Sequence, residues 1–211
     1  MIKSNVAQTY NVDTAFEESI NRAKEIYLEG NVFVYPTDTI YGFGANPFNE
    51  DAVEMVNKIK GRKEGKKYIL LINDIHNLLK YVNISAEKHL DFLLSIWPNP
   101  VSVILKLNDK TKSILKSEKC AFRIPNHRFC LKLLSELGMP LISTSVNRSN
   151  QAPIIEPSVI KDEFLSEVEA IFYSEKKPYI EASTVIDLSG KKPLLLREGR
   201  IKFSDLMEKF N

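Results

Sequence analysis

Short β-rich runs recur along this chain between stretches with helical spacing, and that alternation limits the possible folds more than any other feature. The longest purely aliphatic or aromatic run is "YILLI" at 68–72, far too short to cross a membrane. Residues 14–29 read as an amphipathic helix: Thr14 and Glu17 suit a capping box, Phe16, Ile20, Ala23 and Tyr27 share a face, and Gly30 stops the last turn. "VFVY" at 32–35 is a strand ended by Pro36, and it hands over to the polar loop "PTDTIYGFGANPFN". A helix over about 50–60 turns Val53, Val56 and Ile59 inward, ends at Gly61 and leads through "KGRKEGKK" into the "YILLI" strand. Helices follow near 74–81 and 85–97, the second with Ser85 as N-cap, a stripe of Leu90, Leu93, Leu94 and Trp97, and Pro98 as stop.

"VSVILKL" (101–107), "CAFRIP" (120–125), "PLISTS" (140–145), "AIFYS" (170–174), "STVIDLS" (183–189) and "PLLLRE" (193–198) read as further strands, with helices near 127–137 and 204–210. Strands alternate with helices and then cluster late. The expected fold is therefore α/β, a twisted mixed parallel/antiparallel sheet with flanking helices, in one domain over 1–211. "NQAPIIEPS" at 150–158 is the most loop-like stretch and is too short to mark a domain boundary.

Charge excludes some functions. With 29 basic and 27 acidic residues the net charge is +2, so any basic function must be local. Cys120 and Cys130 fall in a strand and a helix, which fits two buried thiols in a reducing compartment and neither a disulfide framework nor a zinc site. His76, His89 and His127 have no ligand spacing, so no metal held by protein side chains is expected. The start, "MIKSNVAQTY", lacks the apolar core of a signal peptide, and the expected location is cytoplasmic, away from membranes.

Four places carry polar residues that packing does not require. In "PTDTIYGFG", Thr37, Thr39 and Tyr41 alternate just after a strand and face one side. Such a loop is either a ligand crevice beyond a strand end or a turn with local hydroxyl bonds. In "KIKGRKEGKK", Lys60 and Arg62 combine a mobile point charge with a planar fork, suited to phosphate and carboxylate, within a run that could equally be a solvated face. Arg123, inside the strand "CAFRIP", needs an acidic partner or a cleft. In "STSVN", Ser143, Ser145 and Asn147 share strand parity and can converge on one ligand. Neither a G-x-x-x-x-G-K-[ST] loop nor a complete dinucleotide fingerprint is present.

In order, "YPTDTIYGFG", "KGR", "WPNPVSVIL", "FRIPNH", "ISTSVNRS", "STVIDL" and "LLREG" resemble the YrdC family, across about residues 32–199. The resemblance implies a YrdC-like fold with a basic concave cavity. It also implies an L-threonylcarbamoyladenylate synthase of the TsaC type, a nucleotidyltransferase that makes threonylcarbamoyl-AMP and pyrophosphate from L-threonine, bicarbonate or carbon dioxide, and ATP with Mg2+. The product would pass to a TsaD-type transferase for threonylcarbamoyladenosine modification of tRNA. By position, the resemblance puts threonine contacts on Thr39, Arg62, Arg123, Ser143 and Ser183, with Tyr41 shaping the pocket and Thr37 nearby. Nucleotide contacts fall on Lys60, Lys66, Ser145, Asn147 and Arg197, and Lys60 and Arg62 are the expected catalytic pair.

Several positions depart from the family pattern. Lys63 stands where many members have proline, Lys119 where a threonine is common, and Asn99 and Asn150 where glycines are frequent. Asparagine tolerates left-handed backbone best after glycine, so both turns are expected to survive. The family's longer members carry a second domain, and the short single-domain form is expected here. The competing readings are a non-catalytic protein binding tRNA, double-stranded RNA or a nucleotide, and a carbamoyl-transfer module.

Overall fold

Side chains alternate across each strand, and this period of two sorts the apolar residues onto the two faces of one sheet. The computed structural model describes residues 8–62, 68–84, 86–176 and 180–210. The Ser85 cap and the Lys63 and Lys66 positions lie outside them. In chain order the elements are β1 (Gln8–Asn11), α1 (Phe16–Leu28), β2 (Phe33–Tyr35), β3 (Gly42–Gly44), α2 (Glu50–Lys60), β4 (Ile69–Leu71), α3 (Ile75–Leu78), α4 (Glu87–Ile96) and β5 (Val101–Lys106). There follow α5 (Asp109–Leu115), β6 (Lys119–Arg123), α6 (Arg128–Leu137), β7 (Leu141–Ser145), α7 (Pro157–Phe164), β8 (Ala170–Tyr173), β9 (Thr184–Asp187), β10 (Leu194–Arg197) and α8 (Phe203–Phe210).

The strands form one sheet in the order β1-β8-β2-β3-β7-β4-β6-β5-β9-β10. It is mixed, as expected: β8 runs parallel to β1 and β2, β4 to β6 and β5 to β9, while β3 and β7 are antiparallel to their neighbours. Phe33, Tyr35, Leu71, Leu141 and Phe172 pack on one face against α1 and α6. Val34, Phe43, Leu70, Ile142 and Ile171 pack on the other against α2, α4, α7 and α8. Among the described residues no helix is long and apolar enough to cross a membrane, and Cys120 and Cys130 are both free and buried.

The structure differs from the sequence expectations in four places. The 36–49 loop contains β3, which joins β2 to the centre of the sheet by pairing Gly42 with Ser145 and Phe43 with Thr144. Three residues, two of them glycine, give no periodic signal. Gly44 is required by close approach, since a Cβ there would lie 2.7–2.9 Å from the Phe33 and Tyr35 rings. The capping box at Thr14 does not form: α1 begins after Ala15 with no side-chain cap, and Asn11 Oδ1 instead accepts from the Asp13 and Thr14 N–H groups. The buried stripe of α4 is His89, Phe92, Leu93 and Ile96, leaving Leu94 55% exposed. Finally β1, α5 and α7 were not anticipated, and α7 starts inside the stretch read as loop at 150–158.

Candidate functional site

Helix α2 is held at both ends: Asn49 Oδ1 accepts from the Ala52 N–H, and Gly61 closes the last turn at φ +58°. It thereby delivers Lys60, only 4% exposed, to the end of β7. There the ammonium donates to Ser145 O at 2.5 Å, Asn147 O at 2.9 Å and Asn147 Oδ1 at 2.8 Å. All three of its protons are committed to these acceptors. Ser145 Oγ also donates to Asn147 Oδ1 at 2.6 Å, and Asn147 Nδ2 donates to Gln151 O at 2.6 Å. The amide is thus oriented at both ends. Burial, and to a lesser degree the Arg62 charge, draw the Lys60 pKa down to about 8.

A second cluster surrounds Arg123, which is 2% exposed at the end of β6. Its acidic partner is Asp38, equally buried, with Nη2 and Oδ1 3.6 Å apart. Arg123 Nη1 donates to Thr39 Oγ1 at 3.0 Å, Thr37 and Thr39 share a hydroxyl bond at 2.9 Å, and Thr37 Oγ1 donates to Ile40 O at 2.8 Å. Since the Thr37 proton goes to Ile40, Thr39 must donate to Thr37, and hydrogen bonds run one way from Arg123 to the loop. Asp38 Oδ2 accepts from the Asn126 N–H at 3.0 Å. Asp38 Oδ1 and Arg123 Nε are buried and make no hydrogen bond.

The third cluster comes from the C-terminal edge of the sheet. Ser183 Oγ lies 2.9 Å from Ser102 Oγ, and Arg197 Nη2 donates to Ser183 O at 2.8 Å. The Arg197 pKa is lowered chiefly by burial and also by Arg123, so the two guanidinium groups feel each other across this space. Residues 198–201 strap back over 182–184: Gly199 and Ile201 N–H groups donate to Thr184 Oγ1, the Arg200 N–H to Ala182 O, and Arg200 Nη1 to Asp38 O at 3.2 Å. The strap joins the second cluster to the third. A Cβ on Gly199 would lie 2.6 Å from the Ser183 carbonyl carbon and 2.7 Å from its oxygen. Backbone cannot move aside cheaply, so Gly199→Ala is expected to cost about 1–3 kcal/mol, read as a lower denaturation midpoint.

Ser143 sits between the clusters on β7, 9% exposed, and a Cβ on Gly42 would approach its Oγ to 3.2 Å. The Tyr41 hydroxyl accepts from the Ser174 N–H at 3.0 Å, and burial raises its pKa. Arg62 lies 4.8 Å over the Tyr68 ring. Lys119 pairs with Asp187 at 2.5 Å, which accounts for a lysine at that position. Of the two asparagines in glycine positions, Asn150 takes φ +67°, whereas Asn99 keeps a negative φ. A cavity of about 560 Å3 opens behind the 36–41 loop, bordered by Thr37, Thr39, Tyr41, Asn126, His127 and Ser174 among others.

Of the residues singled out in the sequence, Lys60, Ser145 and Asn147 therefore meet directly, as do Thr39 with Arg123 and Ser183 with Arg197. Sequence reasoning missed Asp38, Gly199 and Arg200. Asp38 was visible between two noted threonines, but the strap has no sequence signal of its own. Among the described residues no group of three or more acidic, histidine or cysteine side chains could hold a metal ion.

The sequence profile of the Sua5/YciO/YrdC family, described as telomere recombination, matches residues 25–199. Among solved structures, P. abyssi Sua5 with the H234A/Y235A substitutions is 26% identical with a TM-score of 0.86, covering 96% of this chain and 63% of its own. P. abyssi Sua5 complexed with L-threonine is 25% identical, TM-score 0.84, with 97% and 60% covered. This chain thus spans less than two thirds of the Sua5 chains it matches. E. coli YciO is 26% identical, TM-score 0.85, with 97% of this chain and all of that one covered.

Proposed function

The chain belongs to the Sua5/YciO/YrdC family, and from that premise we propose that it is an L-threonylcarbamoyladenylate synthase serving the threonylcarbamoyladenosine modification of tRNA in the cytoplasm. The observation that supports this most is the gathering of Thr39, Arg123, Ser183 and Arg197 from three distant segments by the strap that ties Arg200 to Asp38. The family resemblance puts the amino acid at Thr39, Arg123 and Ser183 and the nucleotide at Arg197, and a relative has been solved with L-threonine.

In this reading Arg62 and Arg123 bind the threonine carboxylate, and hydroxyls of Thr39, Ser143 and Ser183 orient it. The amine combines with bicarbonate, and the resulting carbamate oxygen attacks the α-phosphate of ATP as pyrophosphate departs. Threonine carbamate is short-lived in water, so the protein contributes by holding it dry and in line. Lys60 acts through the geometry of Ser145 and Asn147, which with Arg197 and Lys66 receive the nucleotide. Mg2+ brought in with ATP would supply charge neutralisation. The product then passes to a TsaD-type transferase.

The test is pyrophosphate release by the purified protein with ATP, Mg2+ and bicarbonate, with and without L-threonine, and mass detection of the adenylate. Threonine-dependent release with that product is expected. No release from a folded sample that binds RNA would instead favour a binding protein, and release that ignores threonine would overturn the synthase reading. Serine should be a poorer substrate by a modest factor, because one methyl group in a pocket is worth about 1–3 kcal/mol. Arg62→Ala should lose about tenfold or more in kcat/KM, the equivalent of one charge-assisted hydrogen bond. Lys63→Ala should lose far less.

A further inference from the structure

The cavity behind the 36–41 loop has one wall made by Thr37, Thr39 and Tyr41 and another made by Asn126, His127 and Arg128. His127 is the N-cap residue of α6, in extended backbone, but its side chain does not cap the helix. Its Nδ1 is buried and has no hydrogen-bond partner. The half-buried ring stands where the "FRIPNH" segment meets the cavity.

Chemistry in this cavity requires a base. An amino acid arrives with its amine protonated, since an α-ammonium titrates near 8 in free peptides, and without a lone pair it cannot attack carbon. Other groups at the wall are poorly suited to remove that proton. Asp13 already accepts from Ser174 Oγ and the Glu175 N–H, pairs with Lys176 at 3.3 Å, and is held below the usual carboxylate range by those bonds, against the effect of burial. Burial keeps the Tyr41 phenol neutral. Arg128 is a cation stacked 4.0 Å from the Phe16 ring. Asp38 faces Arg123. Burial lowers the His127 pKa; Asp38 and Asp13 act to raise it, Lys176 and Arg123 to lower it further. Among the described residues, His127 is the neutral nitrogen base at this wall.

Resting on the synthase reading above, we propose that His127 is a catalytic base that takes a proton from the ammonium of the bound amino acid. The ammonium gives its proton to the imidazole and becomes a neutral amine. Its lone pair then forms the C–N bond to bicarbonate, and the departing hydroxide takes the second amine proton and leaves as water, giving the carbamate anion. The imidazolium later returns its proton to solvent.

The test is steady-state kinetics of the full chain with His127→Gln, and with His127→Asn as a second variant, alongside calorimetric threonine binding. Binding close to wild type is expected, with kcat at pH 7 down by about a hundredfold, at the lower end of general-base effects. The deficit should narrow about tenfold in all between pH 7 and pH 9, as the substrate amine loses its own proton, and imidazole in the buffer should restore part of the rate. Activity within threefold of wild type, or a loss that is constant with pH and accompanied by weaker threonine binding, would overturn the assignment. A wild-type chain with no threonine-dependent turnover would overturn the synthase reading and this step with it. An active wild type with indifferent variants would overturn this step alone.

Discussion

Replacing Arg123 by methionine should cost the fold about 3–5 kcal/mol, because it strands a carboxylate that has no route to water. The side chains of Asp38 and Arg123 are both 3% exposed, and Oδ1 of Asp38 has no hydrogen bond to fall back on. Methionine fills the volume but leaves Asp38 charged and unpaired, and Thr39 loses the donor that starts its one-way hydrogen-bond run. Urea unfolding of the variant is the measurement. Adding Asp38→Asn to the same chain should recover a substantial part of the loss, since the amide removes the buried charge while still accepting from the Asn126 N–H. A loss below about 1 kcal/mol, or no recovery in the double variant, would mean that the pair is not coupled.

If the proposed synthase activity holds, Lys60→Met should reduce kcat/KM by roughly a thousandfold, corresponding to about 4 kcal/mol from the loss of two to three charge-assisted bonds. The lysine is the common donor to Ser145 and Asn147, so both groups, assigned to the nucleotide in the proposed function, would lose their orientation together. Stability should change much less than activity. The Lys60 proton is bound more weakly in the folded chain, near pH 8, than in the unfolded chain, near 10.5. The unfolded state therefore holds more protons in that window, and wild-type stability should rise relative to Lys60→Met as pH climbs from about 8 to 10.5. Unfolding midpoints of both proteins at pH 7.5 and 9.5 test the sign. A gap that shrinks with pH would contradict it.

Elements whose pattern repeats within their own length were legible in the sequence. α2 and the strands from β4 to β10 fall where alternation or helical spacing put them. β3 was not, because "GFG" is a strand through its two neighbours in the sheet and not through its own residues. The same limit applies to α1, where one asparagine outside the helix took the donors that a local capping pattern assigned to Thr14. At the site, the hydroxyl and amide residues of "STSVN" were recognisable as surplus to packing. That Lys60 spends all its protons inside the protein was not, since it depends on contacts 85 and 87 residues away.

The strand order has a bearing on how the chain matures as it is made. β2, β3, β7, β4, β6 and β5 are contiguous in the sheet, so a nascent chain that has emerged through residue 145 already holds the central block, and Lys60, Arg123 and Ser145 with it. β8, β9 and β10 add outside that block. Ser183 and Arg197 come with these late additions, and the Arg200 link to Asp38 spans 162 residues. At about 5–20 residues per second, the clusters are joined several seconds after the first of them has formed. On the proposed synthase reading, a partly translated chain would lack part of its site and would not consume ATP before it is released.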